Sequence, residues 1–215
     1  PIVALPQDRY VIRDVSAVQT LGGGVILDLF PTRHKRNAPS TIQDLTLLRK
    51  GNEREVLRQH VLRSGAGGIL LEDLFRRVSI PGKEIQRLLK EMTDGGELLI
   101  IDPEKMKVID RTAFERLKER VLGQLEEFHQ KSPMKSGLAK EELRTKLPEM
   151  DVRLFQILLN ELMQAKKVVL EKDKLRLPGH QITQADEKGL FRRVEGAMSN
   201  GGLQPPSPKE LSDEG

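Results

Sequence analysis

The residues of this 215-residue chain that could do chemistry are clustered basic side chains. Residues 31–50 contain five basic residues and one acidic residue, and three of the basic ones, Arg33, Lys35 and Arg36, stand beside His34. Concentrated positive charge of this kind is suited to contact with the phosphates of a nucleic acid. The alternative is a solvated linker whose charge is incidental.

The other polar residues do not indicate a catalytic or metal-binding arrangement. The chain contains no cysteine, so disulfides, zinc–thiolate sites and thiol nucleophiles are excluded, while a cytoplasmic location is permitted. His34, His60, His129 and His180 show no metal-ligand spacing, and we expect His60 and His129 to be partly exposed on helices. We therefore predict no catalytic site, no metal and no cofactor within this chain.

Three further patterns favour structural interpretations. The triple glycine at residues 22–24 lacks the Gly-Lys-Ser/Thr sequence of a phosphate loop and opens no helix, so close strand packing or a β-bulge is the better interpretation. The acid pairs at 126–127 and 141–142 are interpreted as solvated helix surface. No apolar run approaches the length of a membrane span, and we expect no membrane partner.

An internal repeat positions the basic residues. Two stretches have apolar residues at the spacing i, i+3, i+4, i+7 that marks one face of an amphipathic helix. These residues are Ile85, Leu88, Leu89 and Met92 in the first stretch, and Phe155, Leu158, Leu159 and Leu162 in the second. Each lies 70 residues from its counterpart, as Ile85 and Phe155 do (155 − 85).

The surroundings of these two helices repeat as well. Each is followed by two apolar runs around a polar turn, at 98–101 with 108–109 and at 168–170 with 175–177, which predicts a β-hairpin. Each is preceded by two more helical patterns, the second of which ends near Pro81 or at Pro148. The apolar positions of these helices are Val56, Leu57, Val61, Leu71, Leu74, Phe75 and Val78 in the first copy, and Phe114, Leu117, Val121, Leu125, Phe128, Leu143 and Leu147 in the second.

Helix starts are indicated by a short polar residue three positions before an acid. Asn52 with Glu55, Thr112 with Glu115 and Thr183 with Asp186 open successive copies, and Thr41 with Asp44 opens an additional helix that ends at Gly51. Three helices followed by a hairpin are the order of a winged helix.

We therefore predict a mainly α fold with small β-hairpins (α+β), in which tandem winged-helix domains follow a remnant of a β-barrel. The predicted domains are strands at 1–30, a basic linker and helix at 31–51, winged helices at 52–110 and 111–179, and the incomplete start of a third at 180–215.

In winged helices the third helix usually enters a groove and the wing contacts the nucleic-acid backbone. Basic residues at such positions are Lys83, Arg87, Lys90, Lys105 and Lys107 in the first copy, and Arg153, Lys166, Lys167, Lys172, Lys174 and Arg176 in the second. Acidic residues are interleaved with them, as Glu84, Glu91, Asp151 and Glu161 are. Direct groove reading and a spacer or protein-contact role therefore both stay open.

The N-terminal residues carry a resemblance to a known family. The strand-like runs 8–13 and 20–28, the second with the triple glycine, resemble the closing strands of the third domain of translational GTPases related to elongation factor Tu. Their continuation through Pro31, His34, Lys35 and Arg36 into tandem winged helices resembles the bacterial selenocysteine-specific elongation factors. We interpret the chain as a fragment of such a longer protein.

The resemblance implies a division of labour in the intact factor. N-terminal domains would bind GTP, with Mg²⁺, and selenocysteinyl-tRNA, and the winged helices would hold the messenger-RNA hairpin that recodes a UGA codon on the ribosome. The first two winged helices would act mainly as a spacer in a cytoplasmic, monomeric protein. Arg33, Lys35 and Arg36 are the residues that we expect to make weak RNA or ribosome contacts.

Two other functions remain as alternatives. A tandem winged-helix DNA-binding regulator predicts dimerisation and tight duplex binding through both third helices. A purely structural or protein-contact module predicts no affinity for nucleic acid at physiological salt. The interleaved acids and the N-terminal strands speak against the DNA-binding alternative.

Overall fold

The computed structural model describes residues 4–15, 19–31, 33, 38–180, 195, 196 and 199. Two compact units are present, one of residues 1–119 with 148–158 and one of residues 120–147 with 159–215, of which only the described residues are considered below. The predicted start of a third winged helix, with Thr183 and Asp186, lies outside the described residues. The same is true of His34, Lys35 and Arg36.

The first unit begins with the predicted pair of strands. β1 (Arg9–Arg13) and β2 (Thr20–Val25) are antiparallel, and Tyr10 lies opposite Gly24. A Cβ atom at Gly23 would come within 2.5 Å of the Tyr10 carbonyl oxygen, so a side chain there would collide with the backbone of β1, as the interpretation of close strand packing predicts. The strand register shifts between Ile12 and Arg13, which lie opposite Gly22 and Thr20, so this irregularity adjoins the triple glycine.

Helix α1 (Pro39–Lys50) follows, and it starts two residues before the predicted start at Thr41. The prediction from Thr41 was wrong because Pro39 occupies the first turn, where a proline needs no hydrogen-bond donor and has a φ angle suited to a helix. The C-terminal end is as predicted, since the Gly51 N–H donates to the Leu47 carbonyl oxygen at 2.7 Å.

The first copy has the element order of a winged helix. Its elements are α2 (Glu53–Arg63), β3 (Ile69–Leu70), α3 (Leu71–Arg77), α4 (Gly82–Asp94), β4 (Leu98–Asp102) and β5 (Lys107–Asp110). Asn52 and Glu55 form the predicted capping box at the start of α2. The hairpin strands are joined by β3 into an antiparallel sheet of order β3-β5-β4, and this short third strand was not predicted.

The core of this copy consists of predicted aliphatic side chains together with Ile69, which was not predicted. The buried cluster contains Leu57, Val61, Ile69, Leu74, Val78, Ile85, Leu88, Leu89, Met92, Leu98 and Val108. Phe75 was expected on the same apolar face but is 42% exposed. Its ring lies instead against the start of α4, 3.4 Å from the position that a Cβ atom on Gly82 would take.

The second copy repeats this order of elements. It comprises α5 (Arg111–Lys131), β6 (Leu138–Ala139), α6 (Lys140–Thr145), α7 (Val152–Gln164), β7 (Val169–Glu171) and β8 (Lys174–Arg176). The sheet order β6-β8-β7 matches that of the first copy. The α+β class and the winged-helix architecture are thus confirmed, while the exact domain boundaries stay a prediction.

Asp110, not Thr112, caps the long helix α5. The helix begins at Arg111, and the Asp110 carboxylate accepts hydrogen bonds from the N–H of Thr112 at 2.8 Å and from the Thr112 hydroxyl. The predicted cap was therefore displaced by two residues. Aspartate competes well for this position because its charge also interacts favourably with the helix dipole.

Candidate nucleic-acid interface

The basic linker is only partly described. Arg33 is exposed, as expected for a residue that contacts RNA. His34, Lys35 and Arg36 lie outside the described residues, so their role stays a prediction.

Helix α4 carries its basic residues on the exposed face that a groove-reading helix would use. Lys83, Arg87 and Lys90 are all exposed. The Arg87 guanidinium, however, donates to Glu84 three residues earlier and to Glu91 four residues later, with 2.9 Å between Arg87 Nε and Glu84 Oε2. The hydrogen bond from Arg87 is the main reason that the pKa of Glu84 lies below its ordinary value.

This spacing is the one at which opposite charges meet on a helix surface. A further acid, Glu97, accepts a hydrogen bond from Arg54, whose guanidinium also lies 4.0 Å from Glu91. The centre of the exposed α4 face therefore carries no excess of positive charge, since two arginines face three glutamates. Lys83 and Lys90 have no ion pair among the described residues, but they stand on either side of this acidic centre.

The first wing uses its charged residues for internal contacts. The Lys107 ammonium lies 2.6 Å from Asp151 Oδ2, and Arg153 lies 2.5 Å from Asp102 Oδ1, all within the first compact unit. Lys107 and Arg153 were predicted to contact nucleic acid, which stays a prediction, and the structure places each against a carboxylate. Lys105, at the tip of this wing, is exposed and has no ion pair among the described residues.

These ion pairs also occupy the N-terminal end of α7. Asp151 accepts a hydrogen bond from the Leu154 N–H at 2.8 Å and so caps the helix. Burial would raise the pKa of Asp151, but the hydrogen bonds from Leu154 and Lys107 outweigh burial and lower it. Helix-turn-helix proteins read bases with the first residues of this helix. In α7 that position is already bound to the first wing.

The second wing has a different arrangement. Lys166, Lys167, Lys172 and Lys174 are exposed, and none of the four has an ion pair among the described residues. Arg176 is buried, where its guanidinium donates to Glu171 at 2.5 Å and to the His180 carbonyl oxygen at 3.2 Å. Arg176 therefore supports the wing from inside and is not available to an external ligand.

Two of the histidines are more buried than predicted. His60 and His129 are 2% and 8% exposed, so the prediction of partial exposure was wrong. Burial lowers the pKa of His60 to about 4, and the charges of Arg63 and Arg77 act in the same direction against the opposing effect of Asp28.

His129 and His180 lie together in the structure, although their spacing in the sequence did not predict this contact. Their rings stack with centroids 3.7 Å apart. His129 Nε2 accepts the Leu177 N–H at 3.2 Å, and burial is the main reason that the pKa of His129 lies below its ordinary value. The nitrogen lone pairs lie in the planes of the two rings, and these planes are nearly parallel, so the lone pairs do not converge on one ion between the rings. We therefore interpret the pair as a packing contact. The signal available in the sequence was only that both residues lie near the ends of elements in the second copy.

Within the described part of the chain, no three histidine or acidic side chains are close enough together to hold a metal ion. Within the same residues, no helix combines the length and the apolar character needed to cross a bilayer.

Comparison with known proteins finds similarity to translation factors. Residues 122–177 match the family described as elongation factor SelB, winged helix. The chain is 28% identical over 218 residues to a selenocysteine-specific elongation factor of Desulfomicrobium baculatum, covering 100% of this chain and 34% of that protein. It is 26% identical over 200 residues to the factor of the same name in Escherichia coli K12, covering 91% of this chain and 31% of that protein. The chain thus spans about a third of the curated relatives it matches, and the resemblance predicted from the sequence is confirmed.

Proposed function

We propose, from the similarity of this chain over its whole length to selenocysteine-specific elongation factors, that it is the arm of such a factor that links selenocysteinyl-tRNA delivery to a messenger-RNA hairpin at UGA codons. That similarity, which extends across both the N-terminal strands and the tandem winged helices, is the observation that carries the proposal. The ribosome and both RNAs are then the partners of the intact protein, and the cytoplasm is its location.

The state of the two third helices supports a spacer role for these two copies. At the exposed centre of α4, Arg87 is bound to both Glu84 and Glu91, and the first turn of α7 is bound to the first wing through Asp151 and Arg153. The start of α4 carries one basic residue without an ion pair among the described residues, Lys83, directly before Glu84. Neither helix therefore offers the extended cationic surface with which winged helices read bases, which suits copies that act as a spacer.

GTP and Mg²⁺ are assigned to other domains of the intact factor. The triple glycine at residues 22–24 does not fit a nucleotide site, because it lies in β2, is paired with β1 and packs against Tyr10. No nucleotide chemistry is therefore assigned to this chain. Its own contribution is mechanical and electrostatic.

Fluorescence anisotropy across a salt series tests this proposal. The three labelled ligands are a selenocysteine-insertion RNA hairpin, an unrelated RNA hairpin of equal length and a random DNA duplex. We expect weak, salt-sensitive RNA binding with little preference between the hairpins. Tight binding to the duplex would favour the DNA-binding regulator, and no binding to any ligand would favour the protein-contact module. Tight preference for the cognate hairpin would show that these copies read sequence, against the spacer role.

A further inference from the structure

The tip of the second wing combines two unpaired ammonium groups with a hydroxyl donor. Lys172 lies in the turn between β7 and β8 with a φ angle of +55°, and Lys174 is the first residue of β8. The Lys174 ammonium is 3.2 Å from the Ser136 hydroxyl oxygen. We call Ser136, Lys172 and Lys174 the second-wing patch.

The chain fold holds this patch in place. Ala139 pairs with Lys174 and Leu138 with Leu175, which fixes the segment that contains Ser136 beside the wing. The Lys140 N–H also donates to the Asp173 carbonyl oxygen at 2.9 Å. Between the segment and the wing lies a cavity of about 320 Å³, lined by the second-wing patch together with Glu171 and Asp173.

The lining of this cavity contains two lysines and two acids. Arg176 offsets the charge of Glu171, so Asp173 remains as the acid that faces Lys172 and Lys174 and the local sum is one positive charge. Ammonium and hydroxyl donors around a small open cavity are the groups that bind a phosphate oxygen.

The equivalent position in the first copy supports this interpretation. Lys107 is the first residue of β5 as Lys174 is the first residue of β8, and each is paired with the second residue of the short strand, Leu70 or Ala139. Lys107 is bound to Asp151, whereas the partner of the Lys174 ammonium among the described residues is the neutral Ser136 hydroxyl. The same fold position thus makes an internal ion pair in one copy and is left open for an external anion in the other.

We propose that the second-wing patch binds the phosphodiester backbone of a structured RNA, independently of its base sequence. This inference rests on the proposed function, which supplies RNA as the source of the phosphate. Of the two winged-helix copies, the wing of the second makes the RNA contact, and the third helix of neither copy does. The patch would hold the arm along an RNA surface while other parts of the factor read sequence.

The test compares two matched double variants of the full chain, Lys172→Ala/Lys174→Ala and Lys105→Ala/Lys107→Ala. Both remove two lysines at equivalent positions of a wing. Binding of an RNA hairpin of unrelated sequence is measured by anisotropy at several salt concentrations, with circular dichroism to verify the fold. We expect the first variant to bind roughly tenfold or more weakly at about 100 mM salt, with a salt slope reduced by about two. The second variant should change the slope by less than about one.

The outcomes separate this inference from the proposed function. Equal losses of RNA affinity in both variants would mean that the net charge of the chain attracts the RNA diffusely. An unchanged RNA affinity in the first variant would exclude the second-wing patch as a binding site. Either result overturns this inference while the proposed function stands. A DNA duplex bound as tightly as the RNA hairpin, with the same loss, would overturn the assignment to RNA. Absence of salt-dependent RNA binding by the unaltered chain would remove both proposals.

Discussion

Asp110 joins three elements through one buried carboxylate. It ends β5, accepts two hydrogen bonds from Thr112 at the start of α5 and lies 3.1 Å from Arg58 Nε on α2. Burial acts to raise its pKa, but the hydrogen bonds from Thr112 and Arg58 lower it below the ordinary value. A buried carboxylate is stable only when it is hydrogen-bonded in this way.

Replacing Asp110 with Asn should destabilise the fold by about 1–3 kcal/mol, since the charge-assisted bonds are lost. Urea unfolding at pH 7 measures the change, with Asp94→Asn as a control at an exposed acid. The folded pKa of Asp110 is depressed, so its contribution is present above the unfolded value of 3.8 and is lost as the pH falls through the folded value. A difference between variant and parent that persisted unchanged well below pH 3.8 would contradict this account.

His60 should make stability depend on pH in the mildly acidic range. Its pKa is about 4 in the folded chain against 6.5 when unfolded, so only the unfolded state takes up a proton between these values. The contribution of His60 to the free energy of unfolding should be fully present above pH 6.5. The free energy of unfolding should then fall by on the order of 3 kcal/mol as the pH approaches 4. His129 acts in the same direction. Chemical unfolding at several pH values should give a shallower dependence for His60→Gln than for the parent chain, and an identical dependence would refute the assignment.

At the scale of elements, the first wing and the start of α7 depend on the same carboxylate. Asp151 caps α7 through the Leu154 N–H and binds Lys107 on β5. Asp102 holds the turn of the first wing, because its carboxylate accepts a hydrogen bond from the Glu104 N–H at 3.0 Å and binds Arg153. Two reciprocal ion pairs therefore join a hairpin and a helix that lie far apart in the sequence.

The two functions of Asp151 should be separable by a double-mutant cycle. Lys107→Ala should cost less than about 1 kcal/mol because the pair is partly solvated, whereas Asp151→Ala should cost about 1–2 kcal/mol because the helix cap is lost as well. Thermal or urea unfolding of both single variants and the double variant gives the coupling between the two residues. Equal costs for the two single variants would mean that the cap contributes nothing.

At the scale of the whole molecule, the net charge of +4 is distributed unevenly over the surface. Acids pair with Arg87 on α4 and with Lys107 on the first wing, while Lys172 and Lys174 on the second wing have no ion pair among the described residues. Total charge therefore says less about RNA binding than the pairing of each basic side chain does.

The basic linker should contribute to RNA binding separately from the second wing. Replacing Arg33, Lys35 and Arg36 together with Ala should lower the salt slope by up to about three, because each lost phosphate contact removes about one. Anisotropy titrations of this triple variant and of its combination with Lys172→Ala/Lys174→Ala test whether the two effects add. A slope unchanged by the triple substitution would remove the linker from the interface.

The sequence by itself determined the repeated architecture, because helical periodicity and strand patterning are local properties. Spaced apolar residues such as Ile85 and Phe155 fix which face of each third helix is buried. The prolines at 81 and 148 marked the ends of the preceding helices only approximately, since these helices end at Arg77 and Thr145. The capping box of Asn52 was equally local and was found. The short strands β3 and β6 were missed because two residues carry too little periodicity to be recognised.

Only the tertiary structure decided which basic residues remain available to a ligand. Lys107 and Lys174 have equivalent places in the repeat, and their difference arises from Asp151 in one copy and Ser136 in the other. Likewise, the stacking of His129 on His180 joins residues that no local pattern connects. The physical reason is that ion pairing and burial depend on distances between segments far apart in the chain, and those distances exist only once the cores have packed.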